Sequence, residues 1–186
     1  MEPNDRRGEI LDSAEAVFLL RGVRGATVDE ITSRAGIAKG TFYLYFDSKD
    51  AAREALRERF GAELLIDVVA ALKRKNRTQA VGAFIAAVVD FKVRNRAATA
   101  LISHPSEGSP PAESEQAIGA AFARFLADGA RAGDFDVKDP QTLATLLYGS
   151  LRASFEEPGA AADPDRIRDA AQELFRAVLL RKRRKK

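Results

Sequence analysis

The sequence contains no cysteine, no tryptophan and a single histidine among its 186 residues. Without cysteine there can be no disulfide and no thiolate metal site, and one histidine is too few for an imidazole cluster, so we expect no metal and no cofactor. Hydrophobic residues make up 46% of the chain, which is enough to bury a continuous core. Composition therefore predicts a globular protein of a reducing compartment, which we take to be the cytoplasm.

Long apolar runs are also missing. The first residues include Glu2 and Asp5, where a secretory signal needs a basic segment followed by an apolar run, so we do not expect secretion. The longest apolar stretch, residues 80–89, ends at Asp90 and is far shorter than the roughly 20 residues of a membrane-spanning helix. We therefore expect no membrane partner.

Positive charge is concentrated at one end of the chain. The formal net charge is +3, but residues 181–186 are all basic, and without them it becomes −3. Residues 1–50 carry seven Lys and Arg against nine Asp and Glu, so net charge does not indicate a DNA-binding surface there. A basic run of this kind is usually a solvated tail; a non-specific polyanion clamp and a membrane-surface tether are the alternatives.

Strand patterns are almost absent, with no Asn-Gly hairpin turn and no sustained apolar-polar alternation. Helix signals are frequent instead: Gly22 ends the first amphipathic segment, and Thr27 with Glu30 forms a capping box. The Asp-Pro pairs at 139–140 and 163–164 each begin a helix, and the proline-rich residues 103–112 predict a loop. The apolar periodicity predicts helices over residues 9–21, 28–35, 39–46, 48–73, 80–101, 113–131, 140–156 and 164–180.

Residues 28–46 contain two short helices joined by the three-residue turn 36–38, which is the arrangement of a helix-turn-helix. On the second helix Phe42 and Phe46, four residues apart, define a buried face. The other side chains suit a DNA groove, because glycine lets the backbone approach closely, leucine can touch a thymine methyl group and hydroxyls can reach phosphates. The candidate DNA contacts are Gly40, Thr41, Tyr43, Leu44, Tyr45 and, at the start of the next helix, Lys49. The alternative is a helical corner with surface tyrosines.

The run T-V-D-E-I-T-S-R-A-G-I-A-K-G-T-F-Y-L-Y-F-D-S-K-D at residues 27–50 closely resembles the signature of the TetR family of transcriptional regulators, A-G-V-S-x-G-T-x-Y-x-(H/Y)-F-x-(S/N)-K. The resemblance implies that Thr27 starts the supporting helix near the DNA backbone. It also implies approach to a double-stranded DNA operator by Lys39, Gly40, Thr41, Tyr43, Tyr45 and Lys49. Two features depart from the family: Val23 stands where an aromatic residue is usual, and the segment is acidic, which predicts few phosphate contacts and a modest salt dependence.

The resemblance extends more loosely over the helical remainder, through G-A-R-A-G-D-F at 129–135 and L-L-Y-G-S-L at 146–151. Readers of this kind usually act as two-fold dimers on pseudo-palindromic sites, so we expect a homodimer. Two apolar stripes on the last helices are the candidate interface, with Gly149, Ala153 and Ser154 allowing close approach. They comprise Leu143, Leu147, Leu151 and Phe155 on one helix and Ile167, Ala171, Leu174 and Val178 on the other. The alternative is that both stripes face the protein's own core.

The family resemblance also implies an effector cavity enclosed by the middle helices. The apolar candidates for its walls are Phe84, Val88, Phe91, Phe122, Phe125, Tyr148 and Phe155, and the polar candidates are Arg94, Asn95, His104 and Arg152. Since carbon dominates this set, we expect an apolar or aromatic small-molecule effector. The alternative for most of these residues is ordinary core or helix-end surface.

These patterns predict an all-α protein of about nine helices, in which an N-terminal three-helix helix-turn-helix domain joins a C-terminal helical bundle. The predicted boundaries are 1–47 for DNA binding, 48–180 for effector binding and dimerisation, and 181–186 for the basic tail. No enzyme signature is present, and the Glu156-Glu157 pair is typical of surface charge. We expect a repressor that a ligand releases from its operator; the alternative is a helical-bundle interaction protein whose basic tail contacts membranes or RNA.

Overall fold

The structure is a computed structural model that describes residues 3–102, 112–155 and 163–180, and side chains from residue 6 onward. Within these ranges all regular structure is α-helical, which confirms the all-α prediction. Residues 103–111 of the predicted loop at 103–112, which include His104, lie outside the described residues, as do the Glu156-Glu157 pair and the tail 181–186. The nine helices of the described ranges are α1 (Pro3–Gly25), α2 (Val28–Ala35), α3 (Lys39–Tyr43), α4 (Lys49–Leu72), α5 (Arg77–Arg94), α6 (Arg96–Ile102), α7 (Glu113–Ala132), α8 (Pro140–Ala153) and α9 (Pro164–Leu179).

The chain divides into two compact units. One holds Met1–Phe60 and Asn95–Ala112, and the other holds Gly61–Arg94 and Glu113–Lys186. The division therefore falls within α4 and again between α5 and α6. The boundary after residue 47, which the sequence predicts on functional grounds, stays a prediction.

The core of the first unit forms where α1 packs on α2 and α6. Ile10, Leu11 and Phe18 are buried on α1, on the face that the apolar pattern predicts. Gly22 has φ 68° and ψ 160°, a conformation that residues with a side chain rarely adopt, so the helical path breaks there before a last turn ends at Gly25. The break that the sequence predicts at Gly22 is thus confirmed, but the predicted bounds of 9–21 are too short, because α1 begins at Pro3 and continues past Gly22 to Gly25.

The prediction of one helix over residues 80–101 is wrong. α5 ends at Arg94 and α6 begins at Arg96, with Asn95 between them. The Asn95 carbonyl oxygen accepts from the Thr99 backbone N–H at 2.8 Å and from the Thr99 hydroxyl at 2.9 Å, which starts α6. Asparagine is a favoured residue at a helix start. The apolar periodicity runs through this position and therefore does not register the break.

In the second unit α5 packs on α9, and α7 packs on α8. Both predicted Asp-Pro helix starts are present: an Asp139 carboxylate oxygen accepts from the Thr142 N–H at 3.0 Å, and Asp163 accepts from the Asp165 N–H at 3.0 Å. The hydrogen bonds from Thr142 lower the pKa of Asp139. None of the described helices is both long enough and apolar enough to cross a membrane.

Candidate nucleic-acid interface

The supporting helix α2 begins at the capping box that the sequence predicts. The Thr27 hydroxyl oxygen accepts from the Glu30 backbone N–H at 3.2 Å, and the Glu30 carboxylate accepts from the Thr27 backbone N–H at 3.0 Å. The Thr27 hydroxyl also donates to that carboxylate at 3.0 Å. These bonds stabilise the charged carboxylate, so they lower the pKa of Glu30. The Thr27 side chain is therefore occupied within the protein.

The turn of the helix-turn-helix follows at Gly36. Its φ of 64° and ψ of 35° place it in the left-handed region, and its N–H donates to the Ser33 carbonyl at 3.3 Å. The next N–H, of Ile37, donates to the Thr32 carbonyl at 3.0 Å. This pair of bonds is a glycine-terminated helix end, which explains why glycine stands where the chain reverses.

The second helix of the motif is shorter than predicted. α3 runs from Lys39 to Tyr43 rather than to Phe46. Beyond it the Leu44 N–H donates to the Thr41 carbonyl at 3.2 Å and the Tyr45 N–H to the Phe42 carbonyl at 3.0 Å. Bonds of this three-residue spacing tighten the last turn. The Phe46 N–H also donates to the Phe42 carbonyl at 3.0 Å, and the regular helix has ended before α4 begins.

The segment has the buried face that the sequence pattern predicts, and the candidate DNA contacts around it are exposed to different degrees. Phe42 and Phe46 are buried with their ring centroids 5.7 Å apart. On the other side Tyr43 is 48% exposed and Leu44 is 81% exposed, and Gly40 is exposed too. Thr41 and Tyr45 are half-buried on the flanks. We call residues 40, 41, 43 and 44, of which Thr41 is half-buried and the others are exposed, the ridge.

The two lysines that the sequence assigns to DNA have different surroundings. Lys39 Nζ lies 2.9 Å from Asp29 Oδ1, and this hydrogen bond raises the pKa of Lys39. Lys49 is half-buried, and its Nζ donates to the carbonyl oxygens of Ala26 at 2.8 Å and Arg24 at 3.4 Å. The sequence offered no signal for the second arrangement, because the partners of Lys49 are backbone atoms more than twenty residues away.

Four of the predicted effector residues of α5, α7 and α8 form a packed aromatic cluster, namely Phe84, Phe122, Phe125 and Tyr148. The Phe84 and Phe122 rings stack with centroids 4.2 Å apart, and Phe175, which the sequence did not single out, lies 6.0 Å from Phe122. A neighbouring cavity beside Phe175 and Phe135 has a volume of about 20 Å³, room for about one water molecule. Two residues of the predicted effector set, Arg152 and Phe155, are half-buried. The others are buried, namely Phe84, Val88, Phe91, Phe122, Phe125 and Tyr148.

Two of the polar candidates, Arg152 and Arg94, have ion-pair partners within the protein. Arg152 Nη1 lies 2.5 Å from Glu115 Oε1, and Arg94 Nη2 lies 3.1 Å from Asp67 Oδ2. The Asn95 carbonyl starts α6, as described above. Among the described residues no group of three or more His, Cys, Asp or Glu side chains could hold a metal ion.

The predicted dimer residues divide into a buried, a half-buried and an exposed group. Leu147 and Leu151 are buried within the chain, and Leu143 and Ile167 are half-buried, whereas Leu174 and Val178 are exposed. Leu146, one position from the predicted stripe, is also exposed. Residues of α8 and α9 line an open groove, namely Ser150, Leu151, Ser154, Asp163, Arg166, Ile167, Ala170, Ala171, Leu174 and Phe175.

Known proteins resemble the chain most clearly over the helix-turn-helix. The sequence profile of the bacterial regulatory proteins of the tetR family matches residues 10–56. The HTH-type transcriptional activator FasR of Mycolicibacterium smegmatis is 34% identical over 106 residues, which are 56% of this chain and 44% of FasR. The HTH-type transcriptional repressor KstR2 of Mycobacterium tuberculosis is 44% identical over 57 residues, which are 31% of this chain and 28% of KstR2. The matched segments thus span less than half the length of these relatives.

The fold likeness extends over nearly the whole chain. The solved complex of SmeT with triclosan superposes with a TM-score of 0.72 at 22% identity, and the match covers 96% of this chain and 93% of SmeT. At this identity the likeness establishes the fold and nothing further. The profile match, by contrast, concerns sequence, and residues 10–56 therefore belong to the tetR family of bacterial regulatory proteins.

Proposed function

We propose that the protein is a homodimeric DNA-binding transcriptional repressor, which a small-molecule effector releases from a pseudo-palindromic operator. The observation that carries this proposal is the ridge. Leu44 is 81% exposed while Phe42 and Phe46, on either side of it in sequence, are buried. A large apolar side chain exposed at the end of a short helix, beside the exposed Gly40 and Tyr43, suits contact with a DNA groove.

The chemistry of the ridge supports readout of base edges more than binding by charge. The exposed Gly40 has no side chain, so the backbone can approach a groove closely, and Leu44 can contact a thymine methyl group. The hydroxyls of Thr41 and Tyr43 can donate to phosphate oxygens. The cation next to Gly40 in the sequence is Lys39, and the candidate contacts include few cations, which agrees with a modest dependence of affinity on salt.

A homodimer is part of the proposal, because one short recognition helix buries too little of a groove to select a site. The apolar surface that supports it lies on α8 and α9, where Leu146, Leu174 and Val178 are exposed. Leu147 and Leu151 are buried within the chain and have little area left for a partner. The exposed group therefore carries the proposed interface.

The effector site that we propose is the aromatic cluster around Phe84 and Phe122. Its rings pack on one another, so an effector must displace ring contacts and should itself be apolar or aromatic. The effector would favour a conformation that the operator does not accept, and effector and operator would then weaken each other's binding by the same factor. KstR2 is named a repressor and FasR an activator, and repression is our choice because the resemblance favours it.

Fluorescence anisotropy with labelled DNA from the region upstream of the protein's own gene tests the proposal. Thr41→Ala and Tyr43→Ala should each weaken specific binding about tenfold with unchanged helicity. The matched control is Thr78→Ala, an equal change at an exposed threonine of α5. DNA binding that is absent in the wild type, or equally weakened by Thr78→Ala, contradicts the proposal.

The effector part has its own test, a thermal-shift screen followed by titration of the operator complex. Apolar or aromatic compounds should raise the melting temperature and lower operator affinity. Stabilisation by polar metabolites alone contradicts the proposed effector class. A stabilising compound that leaves operator affinity unchanged contradicts the coupling.

A further inference from the structure

We infer that Lys49 is a positioning residue that closes the helix-turn-helix, and that it makes no phosphate contact. This inference rests on the proposed DNA binding and concerns how the reading surface is held. The resemblance treats Lys49 and Lys39 alike as cations that approach the operator. The contacts of the two ammonium groups separate them.

The Lys49 ammonium is held by two backbone carbonyls at the end of α1. Its Nζ lies 2.8 Å from the Ala26 oxygen and 3.4 Å from the Arg24 oxygen. Carbonyls at the end of a helix have no partner within it and carry partial negative charge, so a cation there is favoured. An ammonium has three N–H donors, and two of them are directed into the protein.

The contact between Lys49 and Ala26 joins the two ends of the helix-turn-helix segment, and we call it the closure. Ala26 immediately precedes Thr27, which caps α2, and Lys49 is the first residue of α4. The segment between Ala26 and Lys49 therefore contains α2, the Gly36 turn and α3. The bond from Lys49 to Ala26 joins its two ends and restricts how α3 can be placed relative to α2.

Lys39 differs in each of these respects. Its partner is the Asp29 carboxylate, and the side chains of Lys39 and Asp29 are 53% and 70% exposed. An exposed ion pair of this kind is weak and is screened by salt, so the ammonium can exchange its carboxylate for a phosphate. Lys39 is therefore the matched control for a cation that contacts DNA.

The dependence of affinity on salt separates the two roles. Each phosphate contact contributes a slope of about −0.9 to log K against log salt concentration for duplex DNA. Lys39→Met should reduce the magnitude of the slope by about 0.9 and weaken specific and non-specific binding alike. Lys49→Met should leave the slope unchanged, weaken specific binding about tenfold and leave non-specific binding unaltered. Lys49→Arg, which keeps donors for the carbonyls, should restore most of the specific affinity.

A reduction of the slope by about 0.9 in Lys49→Met, with specific and non-specific binding weakened equally, would overturn the inference. If the wild type binds no duplex, the proposed function fails, and the closure is tested without DNA by hydrogen exchange. Lys49→Met should then speed amide exchange at residues 27–31, whereas Lys39→Met should not. Equal amide exchange rates at residues 27–31 in the two variants would show that the bond from Lys49 to Ala26 does not stabilise the start of α2.

Discussion

The Arg59 guanidinium of α4 holds Glu15 of α1, with Nη2 2.7 Å from Oε2. The same group bonds Asp12 through Nη1, 2.6 Å from Oδ1. Since Asp12 and Glu15 are three residues apart, they lie on one face of α1 and one forked side chain reaches both. Within the first unit, two contacts therefore join α4 to α1 and the residue after it: the ion pairs of Arg59, and the hydrogen bonds of Lys49, the first residue of α4.

Removing this fork should destabilise the protein measurably. Arg59→Met leaves two carboxylates without their shared cation, so we expect a loss of about 1–2 kcal/mol in the free energy of unfolding, measured in urea at low salt. The control is Arg131→Met, which breaks the exposed pair with Asp128 on α7 and should change stability by less than about 0.5 kcal/mol. Equal losses in the two variants would mean that the Arg59 fork is ordinary surface charge.

Glu30 should make stability depend on pH in the acid range. Hydrogen bonds from Thr27 lower the pKa of Glu30, so its contribution is present above the unfolded-state pKa of about 4.3 and is lost as pH falls through the lower folded-state pKa. Thr27→Ala should raise the pKa of Glu30, so acidification should reduce the free energy of unfolding less in this variant than in the wild type. NMR titration of the Glu30 carboxyl in both proteins measures this, and an identical titration would contradict the assignment.

Replacing Gly36 and Gly119 by alanine should change the stability of the protein in opposite directions. Neither Gly36 nor Gly119 has any atom within 4 Å of where a Cβ would stand, but Gly36 has φ 64°, whereas Gly119 lies inside α7 without a positive φ. Gly36→Ala should cost about 1 kcal/mol of stability, and Gly119→Ala should add about 0.5–1 kcal/mol. Denaturant unfolding gives both values. Stabilisation by Gly36→Ala would show that the turn does not need the left-handed conformation.

A charge on α9 should separate the proposed dimer. Leu174 is 44% exposed beside the α8 and α9 groove, so Leu174→Glu should shift sedimentation toward the monomer and weaken operator binding. Ile66→Glu on α4 is the control, because Ile66 is 71% exposed but lies outside that groove. If both variants sediment like the wild type, the α8 and α9 surface is not the interface.

The Leu44 side chain should contribute to operator affinity and not to the stability of the fold. Because its side chain is largely in solvent, Leu44→Ala should leave the melting temperature unchanged and weaken operator binding several-fold. Leu20→Ala, at another exposed leucine of the same unit, should change neither quantity. A thermal destabilisation by Leu44→Ala would indicate that this leucine is part of the packing.

Local signals in the sequence predicted the local structure well. The capping box at Thr27, the reversal at Gly36 and the burial of Phe42 and Phe46 each depend on residues within one or two helical turns. Asn95 was missed for the complementary reason, because a polar residue within an apolar pattern can start a helix without changing the periodicity around it.

The features that sequence did not predict depend on distant partners. No pattern links Lys49 to the carbonyl of Ala26, since every residue has a carbonyl and only the fold selects one. On α8, periodicity placed Leu147 on an apolar stripe, but it could not decide whether that stripe faces a partner or the protein's own core. The packing shows that Leu147 is buried within the chain.

The positions of the tyrosines allow DNA binding at the ridge to be followed by the intrinsic fluorescence of the protein. The sequence has no tryptophan and three tyrosines, so tyrosine dominates its intrinsic emission. Tyr43 and Tyr45 belong to the helix-turn-helix, whereas Tyr148 is buried in the second unit. A soluble quencher should therefore reach Tyr43 far more readily than Tyr148, and a bound duplex that covers the ridge should protect it, so binding can be followed without any attached dye.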